Sequence, residues 1–423
     1  ELTGTTPNGT VRSSLNNERI GNGIGGKITV DTSNLTLNQG GQIVTRNFGT
    51  TATGDIIINA RDSVEVMGSS PLNPRFFSSI FAIASRGSSG RAGDVDISTK
   101  QFTILDGGIV SAATFGAGPA GNLTLHADRV ELIGVDPIFG SPSDLTVGSS
   151  SPGSAGILTM YTQRLTVQDG ARVNASTIGS GNAGTVTVYA SRSVEVSGTN
   201  STIESSVNFP SNINIVLGIN TLPSGRAGDV TIDTNRFSVE GGARVGARSN
   251  GPTNGGTLQV NANRISLDTE GSLTTAAITG NGGIINLRTN LLQMEGNSTI
   301  TASAGADNGN GGRITIDAAV IQLENSDIIA NAVKGTGGTI NIMASRLFRS
   351  ADSNITAVSQ QGINGTVNIT TSNPNSQQDS ESESSNNATP ATPSTWKVGD
   401  PIQEATHWVV NANGQVVLTA DPL

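Results

Sequence analysis

The sequence predicts an all-β protein: a parallel β-helix of about twelve coils, followed by a linker and a hairpin. Three observations predict it. A glycine recurs at near-constant spacing along most of the chain. Alternating apolar residues follow each copy of that glycine. No stretch carries a helical period.

The glycine sets the frame. Aligning Gly26, Gly54, Gly93, Gly121, Gly156, Gly184, Gly228, Gly256, Gly283, Gly312, Gly338 and Gly365 brings twelve segments into register. Eight of the eleven spacings lie between 26 and 29 residues, so this is a true repeat, and repeats of that length build solenoids.

The first strand of each unit follows directly. The second and fourth residues after the glycine are apolar in all twelve copies, as in Ile28/Val30, Val186/Val188 and Ile314/Ile316. Period two of this kind buries one face of a strand. The sixth residue is Ala or Thr every time, from Thr32 and Ala60 to Ala344 and Thr371. A position restricted to small side chains predicts a tight corner. A second apolar pair comes next, as in Leu35/Leu37, Leu165/Val167 and Ile321/Leu323. A third short strand closes the unit, as in ARVNAS (171–176), ARVGAR (243–248) and SDIIAN (326–331).

Three short strands cannot bury a core alone, whereas stacked copies can. Hairpin pairing would need two-residue primed turns between strands, and the linkers here are longer. In-register stacking of residues 1–371 at ~4.8 Å per coil gives a rod roughly 55–60 Å long.

Three spacings are long: 39, 35 and 44 residues. The insertions are 69–77, 135–144 and 208–224, and all three are expected near the third strand on a similar flank. They contain Arg75, Phe76, Phe77, Phe139 and Phe209. Two readings compete. The loops pack their Phe onto the rod, or the Phe form one patch for a protein partner or glycan.

Residues 372–395 are rich in Ser, Asn and Gln and read as a flexible linker. Residues 396–423 hold both tryptophans, Trp396 and Trp408, and read as a hairpin around Asn413-Gly414. This hairpin is a candidate cap for the open end of the rod.

Composition narrows the function. Net charge is −9, which gives no basic footprint for nucleic acid. There is no Cys, which excludes disulfides and thiol chemistry. The longest apolar runs, such as INIVLGI at 213–219, fall short of the ~20 residues a membrane helix needs. The chain starts at Glu1 without Met, which points to a piece of a processed or longer protein.

Stacking turns columns of the alignment into surfaces. The eighth residue after the glycine is Arg in six units: Arg129, Arg164, Arg192, Arg236, Arg264 and Arg346. Acids follow at the twelfth or thirteenth place, among them Asp106 and Asp169. Four of them, Glu240, Asp268, Glu295 and Glu324, occupy consecutive units. That row is a candidate strip for a divalent cation or glycan, since oxygen ligands suit Ca²⁺. The plainer reading is a solvated row paired with nearby Arg. No motif calls for a cofactor.

No catalytic constellation is legible. The fifth-place acids Asp31, Asp233 and Asp317 belong to units one, seven and ten. The last two stack ~14 Å apart, beyond the 5–9.5 Å of a glycosidase pair. The two histidines, His126 and His407, lack Ser or Asp companions and read as incidental surface residues.

The segments GNAGTVTVYASRSVEVSG (181–198) and GRAGDVTIDTNRFSVEGGARV (225–245) resemble cyanobacterial filamentous-haemagglutinin-type exoproteins of two-partner secretion. The resemblance covers about 20–371 and WVVNANGQVVLTA (408–420), and it is to the C-terminal β-helix portion of that family. It implies a right-handed β-helix, export through an outer-membrane barrel, and a secreted or cell-surface location. It also implies an adhesive role toward surfaces, cells or glycans, which the lack of a legible catalytic constellation makes a non-catalytic one. The alternatives are a structural filament or spacer, and a polysaccharide-active β-helix enzyme.

One heptapeptide, SGRAGDV, occurs at 89–95 and at 224–230, each time after a unit with a long insertion. It reads as a re-entry turn into the coil. Gly90 and Gly225 would permit the turn, and Arg91 and Arg226 would hold the preceding loop.

Overall fold

A computed structural model describes residues 1–372, apart from 22, 24, 210–222 and 306–307, together with two short strands at 407–410 and 416–419. The chain divides into two units, Glu1–Asn373 and Pro374–Leu423.

The first unit is a parallel β-solenoid of about twelve turns. It holds two parallel sheets, of thirteen and twelve strands, and the chain visits them alternately. Each strand pairs with its equivalents one coil before and one coil after. Val186, for instance, pairs with Leu158 on one side and Val230 on the other. Among the described residues there is no helix, and so none long and apolar enough to cross a membrane.

The first two predicted strands of each unit run on as one. In coil five this strand is Ile157–Gln168, and in coil six Thr185–Ser197. The small sixth residue is where the strand bends. Burial alternates up to the fourth place and resumes at the ninth, so the two halves are out of phase by one residue. Where the sixth residue is Ala it is buried, as in Ala60, Ala190 and Ala318. Where it is Thr, its hydroxyl donates to the carbonyl two residues on. Thr32 reaches Asn34 O, Thr162 reaches Arg164 O and Thr289 reaches Leu291 O, each at 3.0 Å. A larger side chain could do neither, which accounts for the restriction to two residue types.

The third predicted strand is observed as a short one, Arg172–Asn174 in coil five and Arg244–Gly246 in coil seven. A further ladder of single bridges follows it, through Thr114, Ser149, Thr177, Val207, Ser249, Ala277 and Ala304. The apolar columns form one core that runs from Leu35 to Ala357. Each fully buried Val, Leu or Ile in it contributes about 1.5–3 kcal/mol.

The frame glycine has a steric cause. A Cβ built on Gly184 would lie well inside contact distance of Gly156 O, and one on Gly156 would meet Gly121 O in the same way. Successive coils approach backbone to backbone along this column. Gly90 and Gly225 obey the same rule, against Thr51 O and Gly181 O. Close approach, rather than a turn only glycine can make, is what these two positions require.

The turn after each long strand does use left-handed backbone. Gln39, Asp106, Asp169, Asn297 and Asn325 adopt φ of 50°, 48°, 56°, 63° and 46°. Asp and Asn tolerate that region better than most side chains. Asp106 and Asp169 are therefore turn residues first and members of an acidic column second. The next backbone N–H bonds a serine hydroxyl one coil on: Gly107 N to Ser143 Oγ at 3.1 Å and Gly170 N to Ser201 Oγ at 2.9 Å.

The insertions do not share one flank. The first leaves after the long strand at Gly68 and returns at Ser78, and Ser78 N bonds Gly68 O at 2.9 Å. The second does likewise from Gly134 to Ser143, closed at 3.0 Å. The third leaves beyond the short strand Thr202–Glu204 and beyond the Val207 bridge. It therefore emerges at a different corner, and most of it (210–222) lies outside the described residues. The linker and Asn413-Gly414 lie outside them too. In the second unit His407–Val410 and Val416–Thr419 pair antiparallel, as a hairpin should.

Candidate functional site

The five aromatic-loop candidates separate. Phe76 is half-buried, with the Arg12 guanidinium 4.2 Å from its ring centroid. Burial and the neighbouring Arg46 charge lower the Arg12 pKa from its usual value. Phe77 is half-buried as well, while Arg75 is exposed. Phe139 is 52 % exposed and Phe209 is 41 % exposed. The first two loops touch: Ser69 Oγ donates to Asp136 Oδ2 at 2.7 Å. Asp136 also accepts from Ile138 N and Phe139 N, which sets the second loop's turn. Phe209 belongs to the other corner, so the four Phe form no single patch.

The acidic row keeps its register. Glu240 pairs directly with Asp268, and Glu295 N and Glu324 N continue the ladder to Leu267 O and Met294 O. Two of its carboxylates, those of Asp268 and Glu295, are engaged locally. Thr269 Oγ1 donates to Asp268 Oδ1 at 3.1 Å, and Gln293 Nε2 donates to Glu295. Among the described residues no group of three acids or histidines is placed to hold a metal ion.

The bend in the long strand builds a different surface. Side chains at the fifth, seventh and eighth places stand outward around the small sixth residue. Two depressions follow one another along this corner. One, of about 320 Å³, spans coils three to six and is lined at the seventh and eighth places. The other, of about 690 Å³, spans coils seven to eleven; Ala262, Thr289 and Ala318 lie between fifth-place and seventh-place side chains there. Amide ladders run beside the second: Asn261 Nδ2 donates to Asp233 Oδ1 at 2.6 Å, and Asn263 Nδ2 to Asn235 Oδ1 at 2.6 Å. Arg288 sits beside Asp317, with Nε to Oδ2 3.8 Å.

In coils four to six the fifth place is aromatic. His126 stacks on Tyr161, with centroids 4.7 Å apart and planes at 6°, and Tyr161 stacks on Tyr189 at 5.2 Å and 14°. The separations match the rise of one coil. His126 is thus one rung of a ladder and not an isolated surface residue. Tyr161 is 43 % exposed and Tyr189 42 %. The signal was in the sequence: His126, Tyr161 and Tyr189 each stand five residues after a frame glycine in consecutive units.

The arginine column also needs one correction. Arg129 pairs with Arg164, but Arg164 pairs with Ser193, because coil six carries an extra residue at the bend. Ser191 and Arg192 together stand opposite Gln163, so Arg192 falls out of the column. Coil two is bulged in the same way, with Asn34 paired to Ser63 and Asp62 displaced.

The remaining perturbed acids lie elsewhere. Burial raises the Asp96 pKa against a hydrogen bond from Thr124 that lowers it. Hydrogen bonds from Lys100 and Arg61 lower that of Asp62. Asp144, on the short-strand sheet, is pushed up to about 7, chiefly by burial. Comparison with protein-family models, with curated proteins and with solved structures gives no match.

Proposed function

We propose that this chain is the β-helical rod of a secreted or cell-surface exoprotein. It attaches to surfaces by holding an extended glycan along the bend of its long strands, without cleaving it. The observation that carries the reading is the pair of depressions aligned with the rod axis. Along the same bend stand residue types that bind sugars: stacked aromatic rings on coils four to six, and amide side chains on coils seven and eight. Polysaccharides present repeated hydroxyls, and a wall that repeats once per coil presents repeated partners.

The acids on this surface support binding over hydrolysis. Asp233 and Asp317 stand three coils apart, about 14 Å, too far to act as a pair on one glycosidic bond. The exported, adhesive setting, with an outer-membrane barrel as export partner, rests on the resemblance of 181–198 and 225–245 to filamentous-haemagglutinin-type exoproteins. A spacer role is the second reading, and the core that continues without a break from Leu35 to Ala357 favours it.

A glycan array read alongside a reducing-end assay tests these readings. Binding to a defined set of sugars with no reducing ends released is the expected result. Release of reducing ends would make the chain an enzyme. Silence on both assays would leave the spacer.

A further inference from the structure

We propose that the depression over coils three to six is a subsite for an anionic substituent, carboxylate or sulfate, of the glycan chain. The inference rests on the glycan-binding reading above and narrows it to acidic polysaccharides.

The charge around this depression runs against that of the protein. The chain carries −9 overall, yet Lys100, Arg129, Arg164 and Arg192 line this one depression, with Asp128 the only acid there. Several of these groups are already committed. Lys100 Nζ pairs with Asp62 at 2.9 Å, and Arg129 Nη1 with Glu131 at 3.1 Å. Asp128 Oδ1 accepts from Gln163 Nε2 at 3.0 Å. Arg164 and Arg192 are both exposed, and among the described residues neither side chain has an ion-pair partner. They belong to consecutive coils, ~4.8 Å apart along the axis. Both coils thus present a guanidinium without an ion-pair partner to the same depression, and the planar fork of each suits carboxylate or sulfate oxygens.

Arg192 is there because of the extra residue in coil six. The same irregularity in coil two displaces Asp62, which pairs with Arg61 and Lys100. In coil six the displaced residue faces the depression with no counter-charge of its own. The coils are distinct in a second way. Only coils four to six combine a ring at the fifth place with an arginine three residues on: His126 with Arg129, Tyr161 with Arg164, Tyr189 with Arg192. Further along, Arg236 and Arg264 follow Asp233 and Asn261 instead, and Arg264 Nη2 is bonded to Gln293 Oε1 at 2.5 Å.

The test is binding of the full chain to three immobilised polymers: dextran (neutral), alginate (carboxylate) and dextran sulfate. The wild type is expected to bind at least one acidic polymer at least tenfold more tightly than dextran, and to lose that preference as salt is raised. Arg164→Gln with Arg192→Gln is expected to weaken acidic binding at least tenfold while dextran binding and the melting temperature hold. Arg236→Gln, a same-column charge outside the depression, is the control and is expected to change nothing. Preference for alginate alone identifies a carboxylate, and for dextran sulfate alone a sulfate. Equal binding of dextran and the acidic polymers overturns the proposal and leaves the glycan reading standing. So does a double variant that binds acidic polymers like wild type, or an Arg236→Gln effect of equal size. Failure to bind any of a broad set of glycans, neutral ones included, overturns the underlying reading itself.

Discussion

The Arg91 guanidinium forks onto the carboxylate of Asp94, with Nη2 2.5 Å from Oδ1 and Nη1 3.2 Å from Oδ2. The first copy of SGRAGDV is therefore closed on itself. Arg91 binds its own strand rather than the preceding insertion, which lies at another corner. Asp94 also links coils. Its backbone N–H donates to Asp55 Oδ1 at 2.8 Å, and its Oδ1 accepts from Asn122 N at 2.6 Å. Asn122 repeats the arrangement toward Ile157 N at 3.1 Å.

Losing Asp94 should therefore cost more than losing Arg91. The ion pair is about one-third exposed, so Arg91→Ala is expected to cost less than ~1 kcal/mol. Asp94→Ala also strips the acceptor from a backbone N–H and is expected to cost about 1–3 kcal/mol more. Asp94→Asn should recover most of that, since Asn122 does the same work one coil on. Urea midpoints of the three variants decide it, and equal losses for Arg91→Ala and Asp94→Ala would refute the account.

The second copy of the heptapeptide shows where sequence reading stops. Asp229 has the same neighbours in sequence as Asp94, but the coils beside it present Thr185 and Thr257 in place of Asp55 and Asn122. Thr257 N bonds Gly228 O at 3.2 Å, and among the described residues no ion pair joins Arg226 to Asp229. Contacts in a solenoid are made between coils, so an identical motif does not fix identical partners. The glycine and apolar columns were legible because every coil imposes the same demand on them. The side on which each insertion leaves was not, because the first two predicted strands fuse at a bend that needs no loop. The displaced Arg192 was hidden too, since one extra residue at the bend shifts register without breaking the apolar pattern.

The frame glycines should be nearly intolerant of substitution. Gly184→Ala places a methyl group against the backbone of Gly156, O first, with no flexible side chain there to yield. The loss is expected to exceed about 4 kcal/mol, the range of severe packing defects. Gly68 is the control: its φ is +62°, but nothing lies within 4 Å of a Cβ there. Gly68→Ala should cost only the left-handed penalty of about 1–2 kcal/mol. Thermal melts of both variants check the order.

Position in the aromatic ladder sets the cost of breaking it. Tyr161 stacks on both sides, whereas Tyr189 stacks on Tyr161 alone. Each aromatic pair is worth about 0.5–1.5 kcal/mol beyond burial. Replacing either exposed Tyr by Ala carries the same loss of strand propensity, so Tyr161→Ala should be the more destabilising by about one pair. Equal melting temperatures for the two variants would show that the stack contributes nothing.

Asp144 gives the rod a pH dependence opposite to that of most carboxylates. It pairs with Ile109 and Arg172 in the adjoining coils, and its Oδ1 is buried without a hydrogen-bond partner. Burial raises its pKa most strongly; Arg172 pulls it down and Glu204 pushes it up, leaving it at about 7. An unfolded chain would titrate the same group near 3.9. The folded state therefore holds the proton more tightly, and stability from this group is fully present below about pH 4. It falls as pH rises from about 4 to about 7 and is level above that. Asp144→Asn is neutral at every pH and removes the dependence, while other acids, such as Asp62 with its lowered pKa, titrate alike in both proteins and cancel. The melting temperature of the variant minus that of the wild type should thus climb between pH 4 and pH 7 and then stay constant. A difference that is flat across that window, or that falls, would mean Asp144 is ionised in the rod and Arg172 meets its charge.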